Sequence, residues 1–316
     1  IRELAFQEIR SEQDLYDVTH DVPWEQLISP DCRFRVTLKN HSNLLKNGLF
    51  GTYRIKDAIC DRMVDKCGRR PDVDLESPEI SVYAYLENRR FSVGLDASGD
   101  PLHMRGYRVA QHGASLREHL AAAMLMHSGW TPDQALLDPF CGSGTIPIEA
   151  AMIATKTPPS YRRKQFSCEF WKDADKEVLR RIREEASAAI VRPQGLRIEG
   201  SDAHPDAVEM TRANVTSAGF SGLIRVQQAD AAEREPLLSG YVVTNPPYGE
   251  RLGSQEDSLA SIRALRVLAL ASRGSSIVAL NGNDAFEKAM SLRPFKKNRM
   301  NNGSIKCTLY QYRIEK

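Results

Sequence analysis

"LLDPFCGSGTIPIEAA", residues 136–151, sets a short apolar run, an aspartate and two closely spaced glycines ahead of a helix-forming tail. It reads as strand, turn, helix. Gly142 and Gly144 let the backbone bend tightly and approach a ligand with no Cβ in the way. The helix opening at Thr145 aims its free N–H groups at the same place. In a doubly wound sheet, ligands sit at the carboxyl ends of the strands where strand order reverses, and Asp138 would stand at such an end. Taken alone, the two glycines are as well explained by an ordinary turn. The spacing departs from a dinucleotide site: Cys141 to Pro147 lacks a third glycine, and the next strand-end acid, Asp202, lies beyond a long insertion. A pyrophosphate is therefore disfavoured. A nucleoside with a charged amino-acid tail fits better, with Asp138 near an ammonium, Asp202 accepting from ribose hydroxyls and Asp230 accepting from an adenine amino group. Each aspartate alone is commonly a cap or turn residue, but three end three successive strands.

Working outward, apolar runs alternate with helical segments. "ALLDPF" (135–140), "LRIEGSD" (196–202), "LIRVQQAD" (223–230), "GYVVTNPPY" (240–248) and "SSIVALNG" (275–282) read as strands, with helices from about Thr145, after His204 and near 258–272. This alternation predicts an α/β fold with a mostly parallel sheet covered on both faces. Ser115 and Glu118 form an S-x-x-E capping box ahead of a further helix. In the insertion, Val178, Leu179, Ile182 and Ala186 lie on one face of an amphipathic helix and are expected to pack on the sheet.

The first third differs. "RFRVTLKN" (33–40) alternates like a half-buried strand, 53–68 has helical spacing and stops at Gly68, and 80–99 reads as two strands around a polar turn. This is a small α+β domain with a basic run between Arg33 and Arg70 that includes Lys39, Lys46, Arg54 and Lys56. The chain has 316 residues, 43 Lys and Arg against 41 Asp and Glu, and the near balance excludes no partner. Its six cysteines show no paired spacing, so free thiols in a reducing cytoplasm are expected, with no zinc site. No apolar run reaches the length of a membrane span, and no metal or nucleophile-elbow pattern occurs. Oligomeric state is not legible.

"VVTNPPYGER", residues 242–251, ends a strand with an amide, two prolines and an aromatic ring. The exocyclic amine of a nucleobase is a poor nucleophile because its lone pair is delocalised into the ring. Holding both N–H bonds on acceptors turns that lone pair toward an electrophilic carbon. Asn245 offers a side-chain carbonyl, Pro246 a backbone carbonyl, Pro247 stiffens the pair, and Tyr248 offers a ring for stacking, worth about 1–3 kcal/mol per base. The bland alternative is a Pro-Pro turn with an exposed tyrosine.

"DPFCGSGT", "GSD", "QAD" and "NPPYGERLG", in this order, resemble a class I S-adenosylmethionine-dependent methyltransferase acting on planar amide-type nitrogens. The extension NPPYGERL resembles the guanine-N2 branch, and "IKDAICDRM", 73–108 and "LREHLAAAMLMHSGW" resemble the THUMP domain and linker of bacterial 23S ribosomal RNA guanine-N2 methyltransferases. The resemblance implies a THUMP-like RNA-binding domain over 1–104, cut short at its start, a linker helix region over 105–130 and a Rossmann-like methyltransferase domain over 131–316. It implies S-adenosylmethionine as cofactor, held by Asp138, Pro139, Gly142, Ser143, Gly144, Thr145, Asp202 and Asp230, with Asn245 to Tyr248 on the target base. Lys39, Arg54, Lys56, Arg105 and Arg108 are the expected RNA contacts. The expected reaction is methylation of guanine N2 in 23S ribosomal RNA, in the cytoplasm. The alternatives are transfer RNA guanine, adenine N6 in DNA, or an RNA-binding assembly factor without chemistry.

Overall fold

The computed structural model describes residues 1–45, 47–111, 115–248 and 255–315. They form two compact units: Ile1–Pro101 with Arg163–Glu184, and Leu102–Arg162 with Glu185–Lys316.

The first unit contains β1 (Arg2–Glu8), α1 (Glu12–Asp21), α2 (Trp24–Leu27), β2 (Arg33–His41), α3 (Gly48–Cys67), β3 (Asp72–Val73), β4 (Ile80–Glu87) and β5 (Arg90–Asp96). The sheet runs β1-β5-β4-β2-β3. Period-two alternation puts Ile80, Val82, Ala84 and Leu86 of β4, with Phe91, Val93 and Leu95 of β5, into one core with Ile55, Ile59 and Met63 of α3. α3 stops where Gly68 turns left-handed at φ 67°, its N–H donating to Val64 O at 2.8 Å. The strand, helix and hairpin read from the sequence are present. The acidic opening of the chain holds three more elements that its charge pattern hid: β1, which pairs with β5, and α1 and α2. α1 is capped by Ser11, and Trp24 is fully buried with its Nε1 donating to Thr19 O at 2.8 Å.

Part of the basic run is neutralised by acids from flanking segments. Arg33 faces Asp74 and Glu79, Arg35 faces Asp100, Arg62 is bidentate to Glu25, and Arg69 pairs with Asp31. The excess of like charge along the chain is thus smaller in space.

The second unit contains α4 (Glu118–Ser128), β6 (Leu136–Asp138) and α5 (Thr145–Ala154); after α6 (Lys176–Ala188), whose first two turns belong to the first unit, come β7 (Ile198–Asp202), α7 (Pro205–Ala218), β8 (Ile224–Gln228), β9 (Tyr241–Thr244), α8 (Gln255–Ala271), β10 (Ser276–Asn281), α9 (Phe286–Met290), β11 (Lys296–Asn302) and β12 (Ile305–Arg313). Its sheet runs β11-β12-β10-β9-β6-β7-β8, parallel from β10 to β8 and antiparallel at β11 and β12. Alternate residues feed opposite faces: Leu136, Val243, Val278, Leu280 and Leu309 join α4 and α5, while Leu137, Val242, Ile277, Ala279 and Tyr310 join α8 and α9. Strand order reverses between β6 and β9, so the carboxyl ends of those strands open the crevice where such sheets bind ligands.

Two sequence expectations fail here. α6 buries no residue, so Val178, Leu179, Ile182 and Ala186 do not pack on the sheet. The helix is sustained instead by ion pairs one turn apart, Glu177–Arg180–Glu184, and by Arg183 on Glu169 at 2.6 Å. The Ser115–Glu118 capping box is also absent: α4 begins at Glu118, Arg117 occupies the cap without a side-chain bond, and the Glu118 carboxylate accepts from Arg108.

Candidate active site

The crevice is a cavity of about 740 Å³ in the second unit, within the range that holds drug-sized ligands and nucleosides. Asp138, Pro139, Gly142, Ser143, Thr145, Asp202, Asp230, Asn245 and Pro247 all line it. Gly144, Pro246 and Tyr248 do not. Phe140, Ile146, Met210 and Ala231 supply apolar wall, and Ser261 and Ala264 close it from α8. The sequence reading named none of these six as site residues, because an apolar residue facing a ligand has the same pattern as one facing a core, and a serine on a helix looks the same whether it faces a ligand or solvent.

The turn after β6 is built by its glycines. Gly142 at φ 55° donates its N–H to Asp202 Oδ2 at 3.0 Å, and Gly144 at φ 81° caps α5. A Cβ on Gly144 would lie 2.9 Å from Thr211 Cγ2, so a side chain there is refused by sterics as well as by backbone conformation.

Asp138 is 1% exposed, with Oδ1 accepting from Thr244 Oγ1 at 2.6 Å and Phe140 N–H at 3.2 Å. Burial pushes its carboxyl up to about 7, against the lowering pull of those two hydrogen bonds. A buried acid poised near neutrality at the cavity wall is chemically suited to a cationic ligand group. Asp202 is tied more locally, its oxygens accepting from Gly142 N–H and His204 N–H, each at 3.0 Å. Asp230 is exposed and accepts from Ala232 N–H at 2.7 Å.

On the opposite side of the reversal, Asn245 Oδ1 is buried and has no hydrogen-bond partner among the described residues. Leaving a buried acceptor unpaired costs about 1–3 kcal/mol. Such a cost at a cavity wall is what a donor-bearing ligand would relieve. The exposed stacking ring expected at Tyr248 is not found. That ring is 5% exposed, and its hydroxyl accepts from Asn302 Nδ2 at 3.0 Å and from Cys307 Sγ at 3.4 Å. Pro246 is buried too. Residues Gly249 to Leu252 of the extended motif, and Lys46 of the basic run, lie outside the described residues.

Arg105 and Arg108 turn inward onto carboxylates. The Arg105 guanidinium is buried against Glu149, at 3.2 and 3.1 Å, and donates to Leu102 O at 2.7 Å. Arg108 donates to Glu118, Leu116 O, Ser143 Oγ at 2.8 Å and Thr145 Oγ1 at 3.0 Å. Both are internal struts, and Arg108 braces the glycine-rich turn from behind. Asn214 does the same, donating to Ser143 O at 2.9 Å. Arg108→Met strands the Glu118 carboxylate and frees the turn, so ligand affinity at this cavity falls by about tenfold or more and the melting temperature drops, while Arg108→Lys recovers part of each. Calorimetric titration and thermal melts measure both. Of the other expected RNA contacts, Lys39 is exposed on β2, Arg54 donates to Gln13 at 2.8 Å and lies over the Tyr16 ring, and Lys56 pairs with Asp57 at 2.7 Å.

Two family models match the chain. Residues 105–311 match the RMKL-like methyltransferase domain and residues 10–96 match the THUMP domain. The chain is similar to the ribosomal RNA large subunit methyltransferase K/L of Photobacterium profundum, 37% identical over 97% of this chain and 44% of that protein. It therefore spans less than half the length of such curated relatives. Among solved structures it is similar to SMU.472 complexed with SAH, with a TM-score of 0.88 and 28% identity over 99% of this chain and 83% of that one. It is also similar to a predicted N6-adenine-specific DNA methylase from Listeria monocytogenes, with a TM-score of 0.86 and 30% identity over 99% of this chain and 81% of that one.

Proposed function

Because this chain belongs to the family of RMKL-like methyltransferase domains and carries a THUMP domain, we propose that it transfers a methyl group from S-adenosylmethionine to the exocyclic N2 of a guanine in 23S ribosomal RNA. One observation carries the acceptor chemistry: the unpaired Asn245 Oδ1 at the wall of the cavity.

The cavity residues fit the cofactor. The ionisable Asp138 would hold its ammonium, Asp202 its ribose hydroxyls and Asp230 its adenine amine, over the turn built by Gly142, Ser143, Gly144 and Thr145 beside Pro139. When bound, S-adenosylmethionine supplies an electrophilic methyl carbon on a sulfonium.

The remaining work falls to the chain itself. Asn245 Oδ1 would accept one N–H of the target amine, and the other would need the Pro246 carbonyl, which does not line the cavity in the free protein, to turn toward it. With both N–H bonds so held, the nitrogen lone pair is withdrawn from the ring and directed at the methyl carbon. S-adenosylmethionine held by the cofactor-side residues would supply the methyl carbon at this point, and the amine would release its proton to solvent. No general base is needed before attack, since proton loss follows the development of positive charge. Pro247 restricts the backbone between the two acceptors. Tyr248 would meet the base with its hydroxyl still held by Asn302 and Cys307. A paired guanine cannot reach this depth, so the base must be unpaired or flipped out.

Incubation with labelled cofactor and separated nucleic acids, followed by digestion to nucleosides, is expected to give N2-methylguanosine from large ribosomal RNA. A second reading, adenine N6 in DNA, rests on the similarity to the predicted N6-adenine-specific DNA methylase of Listeria monocytogenes. N6-methyladenine as product would replace our reading with that one.

A further inference from the structure

The hairpin of β11 and β12 lies at the edge of the second unit's sheet, and its two faces differ in kind. Inward, Met300, Ile305, Cys307 and Leu309 pack on the core, and Asn302 and Cys307 hold the Tyr248 hydroxyl. The tip is thus fixed to the residue that ends the NPPY motif. Outward, Arg299 and Lys306 are exposed and diagonal across the ladder, with Arg299 opposite Thr308 and Lys306 opposite Asn301. That places their Cβ atoms about 7 Å apart, comparable with the spacing of successive phosphates along one strand. A third cation comes from another element: the Arg117 Nη2 lies 3.8 Å from where a side chain on Gly303, in the turn, would sit.

The neighbouring Lys297 is paired with Glu287 at 2.8 Å, whereas Arg117, Arg299 and Lys306 have no acidic partner among the described residues. Charge on an edge strand can simply prevent pairing with another chain. That explanation reaches Arg299 alone, since Lys306 is on the inner strand and Arg117 is on a different element.

We propose that this hairpin tip binds the RNA backbone beside the target nucleotide, with Arg117, Arg299 and Lys306 on phosphates. The inference rests on the RNA reading above and adds the surface that reading lacks now that Arg105 and Arg108 are internal. Phosphate contacts position the strand without reading its sequence. Held through Asn302, the tip would set the register of the strand against Tyr248.

The test uses the full chain, unmodified 23S ribosomal RNA transcribed in vitro, and the double variant Arg299→Gln/Lys306→Gln. KM for the transcript is measured between 50 and 200 mM salt, together with S-adenosylmethionine affinity and sedimentation. Each lost phosphate contact removes about 0.7 to 0.9 from the slope of log affinity against log salt, so the double variant is expected to flatten it by roughly 1.5. KM should rise about tenfold at 100 mM salt, with cofactor affinity unchanged. A slope equal to the parent's, or a variant that only self-associates, overturns the proposal. If the parent itself leaves the transcript unmethylated, the acceptor reading has failed instead.

Discussion

Asn245→Ala lowers kcat by on the order of a hundred- to a thousand-fold while S-adenosylmethionine affinity stays within about twofold. The reason is the contrast between its two atomic surroundings. Oδ1 is buried without a partner among the described residues, so none of them depends on it for a hydrogen bond. The cofactor-side groups, Asp138, Asp202 and the glycine turn, find their partners elsewhere, in Thr244, Phe140, Gly142 and His204. Removing the amide should therefore remove an unmet acceptor and nothing that shapes the cofactor side. The loss appears only where an amine must be held and its developing positive charge stabilised. Single-turnover methyl transfer and calorimetric titration separate the two. Undiminished turnover in the alanine variant would falsify the acceptor role, and a parallel collapse of cofactor affinity would assign Asn245 to the wrong half of the cavity.

Asp138→Asn gives the second large effect, on binding rather than turnover. The asparagine oxygen can still accept from Thr244 Oγ1, so the local fold survives while the charge is lost. Truncating one partner of a buried charge pair typically costs about 2–5 kcal/mol, and about 3 kcal/mol corresponds to a hundredfold or more in S-adenosylmethionine affinity. The pH dependence has a definite sign. In the free protein the carboxyl is raised from 3.8 to about 7 by burial, so folding favours its protonated form. That stabilisation is fully present below about pH 4 and is lost as pH rises through 7. A bound ammonium favours the ionised form, so binding below pH 7 releases a proton. Wild-type affinity should rise with pH by up to tenfold per unit toward 7 and then level, whereas the asparagine variant should be flat. Without cofactor, the variant should melt higher than wild type at pH 8, because it no longer buries a charge. A wild-type profile without slope between pH 5 and 7 would remove Asp138 from the ammonium site.

Much of the architecture is legible in the chain because its causes are local. The pattern of β4 and β5 and the unbroken apolar runs of β9 and β10 follow from burial on one face or on both, and each is written in consecutive residues. Gly68, Gly142 and Gly144 mark backbone that only glycine adopts easily, and the structure gives all three positive φ. The cavity could be anticipated for the same reason: strand-end acids, a glycine turn and a proline-stiffened strand end are short-range signatures.

What the chain by itself determined is therefore the strand–turn–helix frame and the set of polar groups at its strand ends. The tertiary structure alone decided what each group touches, since partners come from residues that no local pattern connects. Thr244 reaches Asp138 across 106 positions of sequence, and only the strand order brings β9 beside β6. Arg105 and Arg108 look solvated in sequence, yet Glu149 and Glu118 draw them inward, because a buried carboxylate is costly without a cation. Tyr248 reads as an exposed ring until a hairpin more than fifty residues later covers it. Burial and pairing are properties of the packed chain, whereas periodicity and turn chemistry belong to the segment.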